Sequence, residues 1–172
     1  MSREEALVVP DAQEQFRSMY ATALPVVYGF LFVRVAGNKA LAEDLTAETF
    51  TAAMAEFCAG RSEVVTEAWL RTVAKRRLID HWRHQRVVDA NVVDLARQNR
   101  QGQSGLGDKE IIVGALAKLS EDEQRALVLQ HVEGYSVAEV AKILGRTSKG
   151  TESLLSRARA AFRTAYSEAD DG

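Results

Sequence analysis

Two short motifs constrain this chain more than anything else in it. Ser120-Glu121-Asp122-Glu123 and Ser136-Val137-Ala138-Glu139 both place a serine three residues before a glutamate and ahead of an apolar-periodic run. In that arrangement the serine hydroxyl accepts from the backbone N–H at the glutamate. The glutamate in turn reaches back to the serine N–H, so each motif marks a helix start. Helices are therefore expected from about 121 and about 137. Gly134 and Gly145 are suited to ending the helices before them, and a last helix is expected from about Ser148 to Tyr166. Only Gly145, Arg146 and Thr147 separate the last two helices, the short connection of a helix-turn-helix. With only 2 Pro among 172 residues and an apolar set rich in Ala, Leu and Val, the whole chain is expected to be all-α.

Ahead of this unit, residues 87–110 are the poorest packing material in the chain. Gln98, Asn99, Gln101, Gly102, Gln103, Ser104, Gly105 and Gly107 lie at their centre. They read as a flexible linker between two small helical domains, 11–86 and 111–168. In the first domain Asp11 and Glu14 resemble a capping box. The helix they start should run toward Gly37, kinked or divided at Pro25. A second helix is expected from about Asn38 to Cys58, then a loop at 60–65, then a third helix from after Thr66 to about Arg86.

The net charge is −2, from 22 basic and 24 acidic residues, but the charges are segregated. Residues 71–86 hold six basic and one acidic side chain, and residues 146–163 hold five and one, within an otherwise acidic chain. Two separate contacts to a polyanion would account for that pattern. On the third helix Leu70, Val73, Ala74 and Leu78 form a core-facing stripe. Arg71, Lys75, Arg76, Arg83 and Arg86 occupy the other side, with Ile79 and Trp82 among them. Cations that neutralise phosphates beside an indole that stacks on an unpaired base suit a partly single-stranded nucleic acid. A solvated arginine-rich helix with an incidental tryptophan is the alternative.

The last helix should bury Thr151, Leu155, Ala158 and Phe162 against Val137, Val140, Ala141 and Leu144. Lys149, Glu152, Ser153 and Ser156 would then face outward, flanked by Arg146, Arg157, Arg159 and Arg163. Small polar residues at base edges, with arginines on phosphates, are what a recognition helix needs. The second helix carries Phe50, Met54 and Phe57 on one side and Leu41, Leu45 and Ala52 nearly opposite. Asp44 and Glu48 border the Leu41/Leu45 side, so one apolar face with an acidic edge is expected to dock a partner protein. The other reading is a central helix contacted on both sides.

Cys58 is the only cysteine, which excludes an intrachain disulfide and a cysteine-based zinc site; His81, His84 and His131 are scattered, and no metal or other cofactor is expected. No run is expected to reach the roughly 18 apolar residues of a membrane span, since residues 24–36 are short and contain Pro25 and Arg34. The acidic first residues do not resemble a secretory signal, and the expected location is the cytoplasm, at the nucleoid.

Ala42-Glu43-Asp44-Leu45-Thr46-Ala47-Glu48-Thr49-Phe50, followed by Ala68-Trp69-Leu70-Arg71-Thr72-Val73-Ala74 and Asp80-His81-Trp82-Arg83, resembles conserved region 2 of bacterial RNA polymerase sigma factors of the extracytoplasmic-function (ECF) class. Residues 119–163, with Gly134-Tyr135-Ser136-Val137-Ala138-Glu139-Val140-Ala141 and Ser156-Arg157-Ala158-Arg159, resemble region 4 of the same family. The resemblance implies a non-enzymatic initiation factor. It would bind core RNA polymerase through Leu41, Asp44, Leu45 and Glu48. It would hold an opened −10 element with Arg61, Arg71, Lys75, Arg76, Ile79, Trp82, Arg83 and Arg86, one base being extruded near the 60–66 loop. It would read a duplex −35 element with Arg146, Thr147, Ser148, Lys149, Glu152, Ser153, Ser156, Arg157 and Arg159. The linker would thread toward the polymerase active site. An anti-sigma factor is an implied partner, the free chain being a monomer or a 1:1 complex with it.

The sequence departs from the family pattern where Ala47 replaces a usual glutamine and where Glu152 and Leu154 replace an often basic pair. A stand-alone helix-turn-helix regulator, which would dimerise on a palindrome, is the competing function. It leaves the basic-aromatic third helix unexplained. A metal-dependent hydrolase using Glu43, Asp44 and Glu48 lacks any matching histidine or second acidic motif.

Overall fold

The computed structural model describes residues 12–89 and 108–170, excluding the side chains of residues 86–89, 108 and 170. Among the described residues every regular element is helical: α1 (Ala12–Arg34), α2 (Lys39–Cys58), a 3₁₀ turn (Ser62–Val64), α3 (Glu67–Asp89), α4 (Asp108–Ala117), α5 (Glu121–Leu127), a π turn (Val128–Val132), α6 (Val137–Leu144) and α7 (Ser148–Asp170). Asp11 and residues 90–107, the middle of the expected linker, lie outside the described residues. The ends of that linker are helical, because α3 continues to Asp89 and α4 begins at Asp108.

In the N-terminal unit Asn38 caps α2, its side-chain oxygen accepting from Leu41 N at 3.1 Å, and Thr66 Oγ1 accepts from Trp69 N at 3.2 Å at the start of α3. Pro25 does not divide α1, which runs unbroken for 23 residues. Among the described residues α1 is long and apolar enough, with a mean hydropathy of 1.3, to cross a membrane by length and composition, contrary to the expectation that no segment would be. In the fold α1 packs on α2 and α3 and buries Val27 and Leu31.

The second helix is the central one. Leu45, Phe50, Ala53 and Phe57 are all buried, so both of its apolar sides are occupied, by α1 and by α3. The central-helix reading is therefore correct, and Leu45 is a core residue, 2% exposed, not part of a docking face. Leu41 is partly buried against the same core.

The C-terminal unit follows its punctuation closely. Both capping boxes form: Glu123 Oε2 accepts from Ser120 N at 3.1 Å, and Glu139 Oε2 accepts from Ser136 N at 2.8 Å. Gly145 ends α6 in the left-handed region, with φ 63°. Thr151, Leu155 and Ala158 are buried with Val140, Ala141 and Leu144, as expected, and Phe162 and Val137 pack partly against them. The chain adds α4, which packs on α7, and the π turn after α5. Neither was expected.

The two units meet. The buried cores form one apolar cluster, α3 packs on α6, and α1 touches α4. At the α1–α2 turn the units pack tightly, since a Cβ on Gly37 would stand 2.8 Å from Val113 Cγ1; its φ of +80° also favours glycine.

Candidate nucleic-acid and polymerase interfaces

α7 starts on the Thr147 hydroxyl, which accepts from Gly150 N at 3.1 Å. Thr147, a candidate base contact, is thereby the N-cap. Ser148, Lys149, Glu152, Ser153, Ser156, Arg157 and Arg159 are all exposed, so the expected outward face exists. Ser153 Oγ donates back to Lys149 O at 3.1 Å. Among the described residues Lys149, Arg157 and Arg159 make no ion pair, leaving three cations free for phosphates. Arg146 differs, because its guanidinium pairs with Asp122 at the first turn of α5.

The candidate strand-binding residues divide into three groups. Arg61, Arg71, Arg76 and Arg83 are exposed and each is tied to a carboxylate of its own unit: Glu56 at 2.7 Å, Glu67 at 2.8 Å, and Asp80 at 3.9 and 3.5 Å. Arg86 lies in α3, but its side chain is outside the described residues. Lys75, Ile79 and Trp82 form the third group, and here the structure corrects the expectation of an open face. Ile79 is 7% and Trp82 4% exposed. The three recur at i, i+4 and i+7, so they share one face of α3. On that face Lys75 meets the C-terminal unit: its Nζ lies 2.8 Å from Glu133 Oε2 and 4.8 Å from the centroid of the Tyr135 ring. A helical wheel drawn for α3 alone cannot contain this contact.

Glu133 is the centre of the junction. Its other oxygen, Oε1, accepts from Arg34 Nε at 2.6 Å, and its side chain is 7% exposed. Arg34 in turn lies over the Phe30 ring, 3.4 Å from the centroid, and donates to Phe30 O at 2.9 Å. Burial pushes the Glu133 carboxyl up, but the hydrogen bonds and charges of Lys75 and Arg34 outweigh it and hold the group below the usual carboxylate range. The same carboxylate raises the Lys75 ammonium. The π turn sets this geometry, since Glu133 N donates to Val128 O, five residues back, at 3.0 Å. Glu133, Arg34 and Tyr135 were not singled out from the sequence. The available signal was Arg34 itself, a lone cation within the apolar residues 30–36.

On α2, Asp44 and Glu48 are exposed as expected, with Ala47 exposed between them. Glu48 Oε2 lies 3.8 Å from Arg77 Nε of α3. Close by, burial pushes the His81 imidazole below its usual pKa, and Arg125 of α5 adds to that. Among the described residues no three His, Cys, Asp or Glu side chains converge on a point that could hold a metal ion.

Residues 19–87 match the family described as Sigma-70 region 2, and residues 109–162 match Sigma-70, region 4. The RNA polymerase sigma factor CarQ of Myxococcus xanthus is 36% identical over 140 residues, covering 78% of this chain and 79% of CarQ. The chain belongs to the ECF class of RNA polymerase sigma factors. The ECF RNA polymerase sigma factor BldN of Streptomyces coelicolor is 30% identical over 84% of this chain, which spans 58% of BldN. Among solved structures, the Bartonella quintana sigma factor RpoE, crystallised with the anti-sigma factor NepR, aligns with 88% of this chain and 96% of its own, at 24% identity and a TM-score of 0.46.

As a member of this class the sigma factor is a transcription initiation factor, acting in the cytoplasm. The two departures from the family pattern have different structural settings. Leu154 is 3% exposed and belongs to the core of the C-terminal unit, so a basic side chain could not occupy its place unchanged. Ala47 stands on the open surface of α2, where a shorter side chain costs the fold nothing.

Proposed function

We propose that this sigma factor divides promoter recognition between its two units. The N-terminal unit (11–86) docks core RNA polymerase on the Asp44/Glu48 edge of α2 and holds the opened −10 strand along α3. The C-terminal unit (111–168) lays the N-terminal half of α7 in the major groove of the −35 element. There Lys149, Arg157 and Arg159 neutralise phosphates while Ser148, Glu152, Ser153 and Ser156 meet base edges. Thr147 orients the helix through its cap. The observation that carries this reading is the exposed basic face of α7, without ion pairs at Lys149, Arg157 and Arg159 among the described residues, placed directly after a three-residue turn and preceded in the chain by a region 2 match.

In this reading the chain makes and breaks no bond and carries no cofactor. It works at the nucleoid and is restrained by an anti-sigma protein in a 1:1 complex. The stand-alone regulator is not favoured, because it gives the region 2 unit no role.

Mixing the purified chain with sigma-free core RNA polymerase and a panel of genomic fragments tests the reading. Co-elution with the core and initiation at a restricted set of start sites is the expected result, and those start sites supply the −35 and −10 sequences. Duplex binding without core association would overturn it.

A further inference from the structure

The ion pairs of the N-terminal unit follow a pattern with two exceptions. Arg61, Arg71, Arg76, Arg77 and Arg83 each have a carboxylate within their own unit, at 2.7 to 3.9 Å. Among the described residues Arg34 and Lys75 do not. Their carboxylate is Glu133, supplied by the other unit across the junction, and it gives one oxygen to each cation, at 2.6 and 2.8 Å. A carboxylate that spreads one negative charge over two oxygens between two cations has the charge and the acceptor pattern of a phosphodiester group. The apolar continuation of the same face, Ile79 and Trp82, is of the type on which unpaired bases stack.

We propose that Arg34 and Lys75 form a backbone-phosphate site for the opened promoter strand, and that Glu133 occupies this site from within the chain when no strand is bound. This rests on the reading of α3 as the strand-facing helix, and it adds Arg34, on α1, to the residues that touch the strand. The two occupants exclude each other, because each needs the same pair of cations and the same face of α3. Free chain is thereby held from binding single strands, and the C-terminal unit must leave α3 before the −10 strand can enter. The π turn supports the assignment, since it is the backbone feature that sets Glu133 at the junction.

The test uses the full chain without polymerase, with a short fluorescein-labelled single-stranded oligonucleotide of mixed sequence followed by anisotropy, and small-angle scattering for compactness. Glu133→Gln keeps the shape of the side chain and removes its charge. It is expected to tighten strand binding about tenfold and to enlarge the radius of gyration. Glu133→Lys, which repels both cations, is expected to do so more strongly, with unchanged helicity by circular dichroism. Adding Arg34→Gln to Glu133→Gln should take back most of the gain and lower the salt slope by about 0.7, the contribution of one phosphate on a single strand. Strand binding and compactness unchanged in both Glu133 variants would overturn the proposal. So would a double variant that binds as tightly as Glu133→Gln, which would leave Arg34 with no strand contact. Promoter-specific initiation by the wild-type chain with core polymerase separates the two levels. Its absence would remove the strand-facing reading of α3, whereas its presence alongside inert Glu133 variants would remove only the internal occupant.

Discussion

Arg146 and Arg157 are both candidate phosphate contacts of the −35 face, yet the structure distinguishes them. The Arg146 guanidinium is paired with Asp122, with both side chains about two-fifths exposed, whereas Arg157 has no carboxylate among the described residues. Asp122→Asn should therefore release Arg146 toward DNA. An exposed pair of this kind is worth about 1 kcal/mol or less, so duplex affinity should rise by at most about fivefold. The more discriminating quantity is the salt dependence. One further phosphate contact steepens the slope of log affinity against log salt by about 0.9, so the advantage of Asp122→Asn should shrink about 3.5-fold between about 50 and 200 mM salt. The assay is anisotropy of a labelled −35 duplex titrated with the full chain across that salt range, with Arg157→Ala and Arg146→Ala alongside. Arg157→Ala should lower the slope by about 0.9 and Arg146→Ala by clearly less, since Asp122 already offsets its charge. Equal losses in the two arginine variants, or a wild-type slope in Asp122→Asn, would refute the reasoning.

Asp44→Arg, at an exposed position, should leave thermal unfolding unchanged while weakening co-elution with core polymerase; retained association would take this edge out of the interface. Leu154→Lys should cost about 3 kcal/mol in urea unfolding, the lost burial of a core leucine plus the poor solvation of an ammonium there, and a neutral effect would place residue 154 at the surface. Trp82→Ala should cost a similar amount as well as impairing open-complex formation, because the indole is 4% exposed; normal stability would mean that the indole adds little to the core. Glu133 has a lowered folded pKa, so its contribution is present above the ordinary carboxylate range and is lost as pH falls through that lowered value. Scattering should therefore show the chain expanding on acidification in a step that Glu133→Gln lacks, and identical pH profiles would dissociate Glu133 from the closure.

What could be read from the sequence was what local chemistry decides. The two serine–glutamate boxes, the Asn38 cap and the glycine ends all concern hydrogen bonds made within a few residues, and each formed where the spacing placed it. The outward face of α7 was legible for a related reason: its partner stripe on α6 lies only a three-residue turn away. The α4 helix was hidden because its first residues adjoin the Gly- and Gln-rich stretch. Leu45 was misplaced because an apolar pair opposite Phe50 and Phe57 looks like surplus until α1 and α3 are both packed on α2.

The face bearing Lys75, Ile79 and Trp82 shows most clearly where such reading stops. Helical spacing establishes which side chains share a face, but not what lies against it. A basic and aromatic stripe satisfies two kinds of occupant equally well: a nucleic-acid strand, with phosphates for Lys75 and bases for Trp82, or a protein surface with a carboxylate and apolar side chains in the same order. At Lys75 the C-terminal unit supplies the carboxylate, Glu133, with Tyr135 beside it, and α6 packs on α3. The same cation suits either occupant, a strand phosphate or the Glu133 carboxylate. At this lysine the chemistry that suits α3 to single-stranded DNA is the same chemistry by which the C-terminal unit meets it.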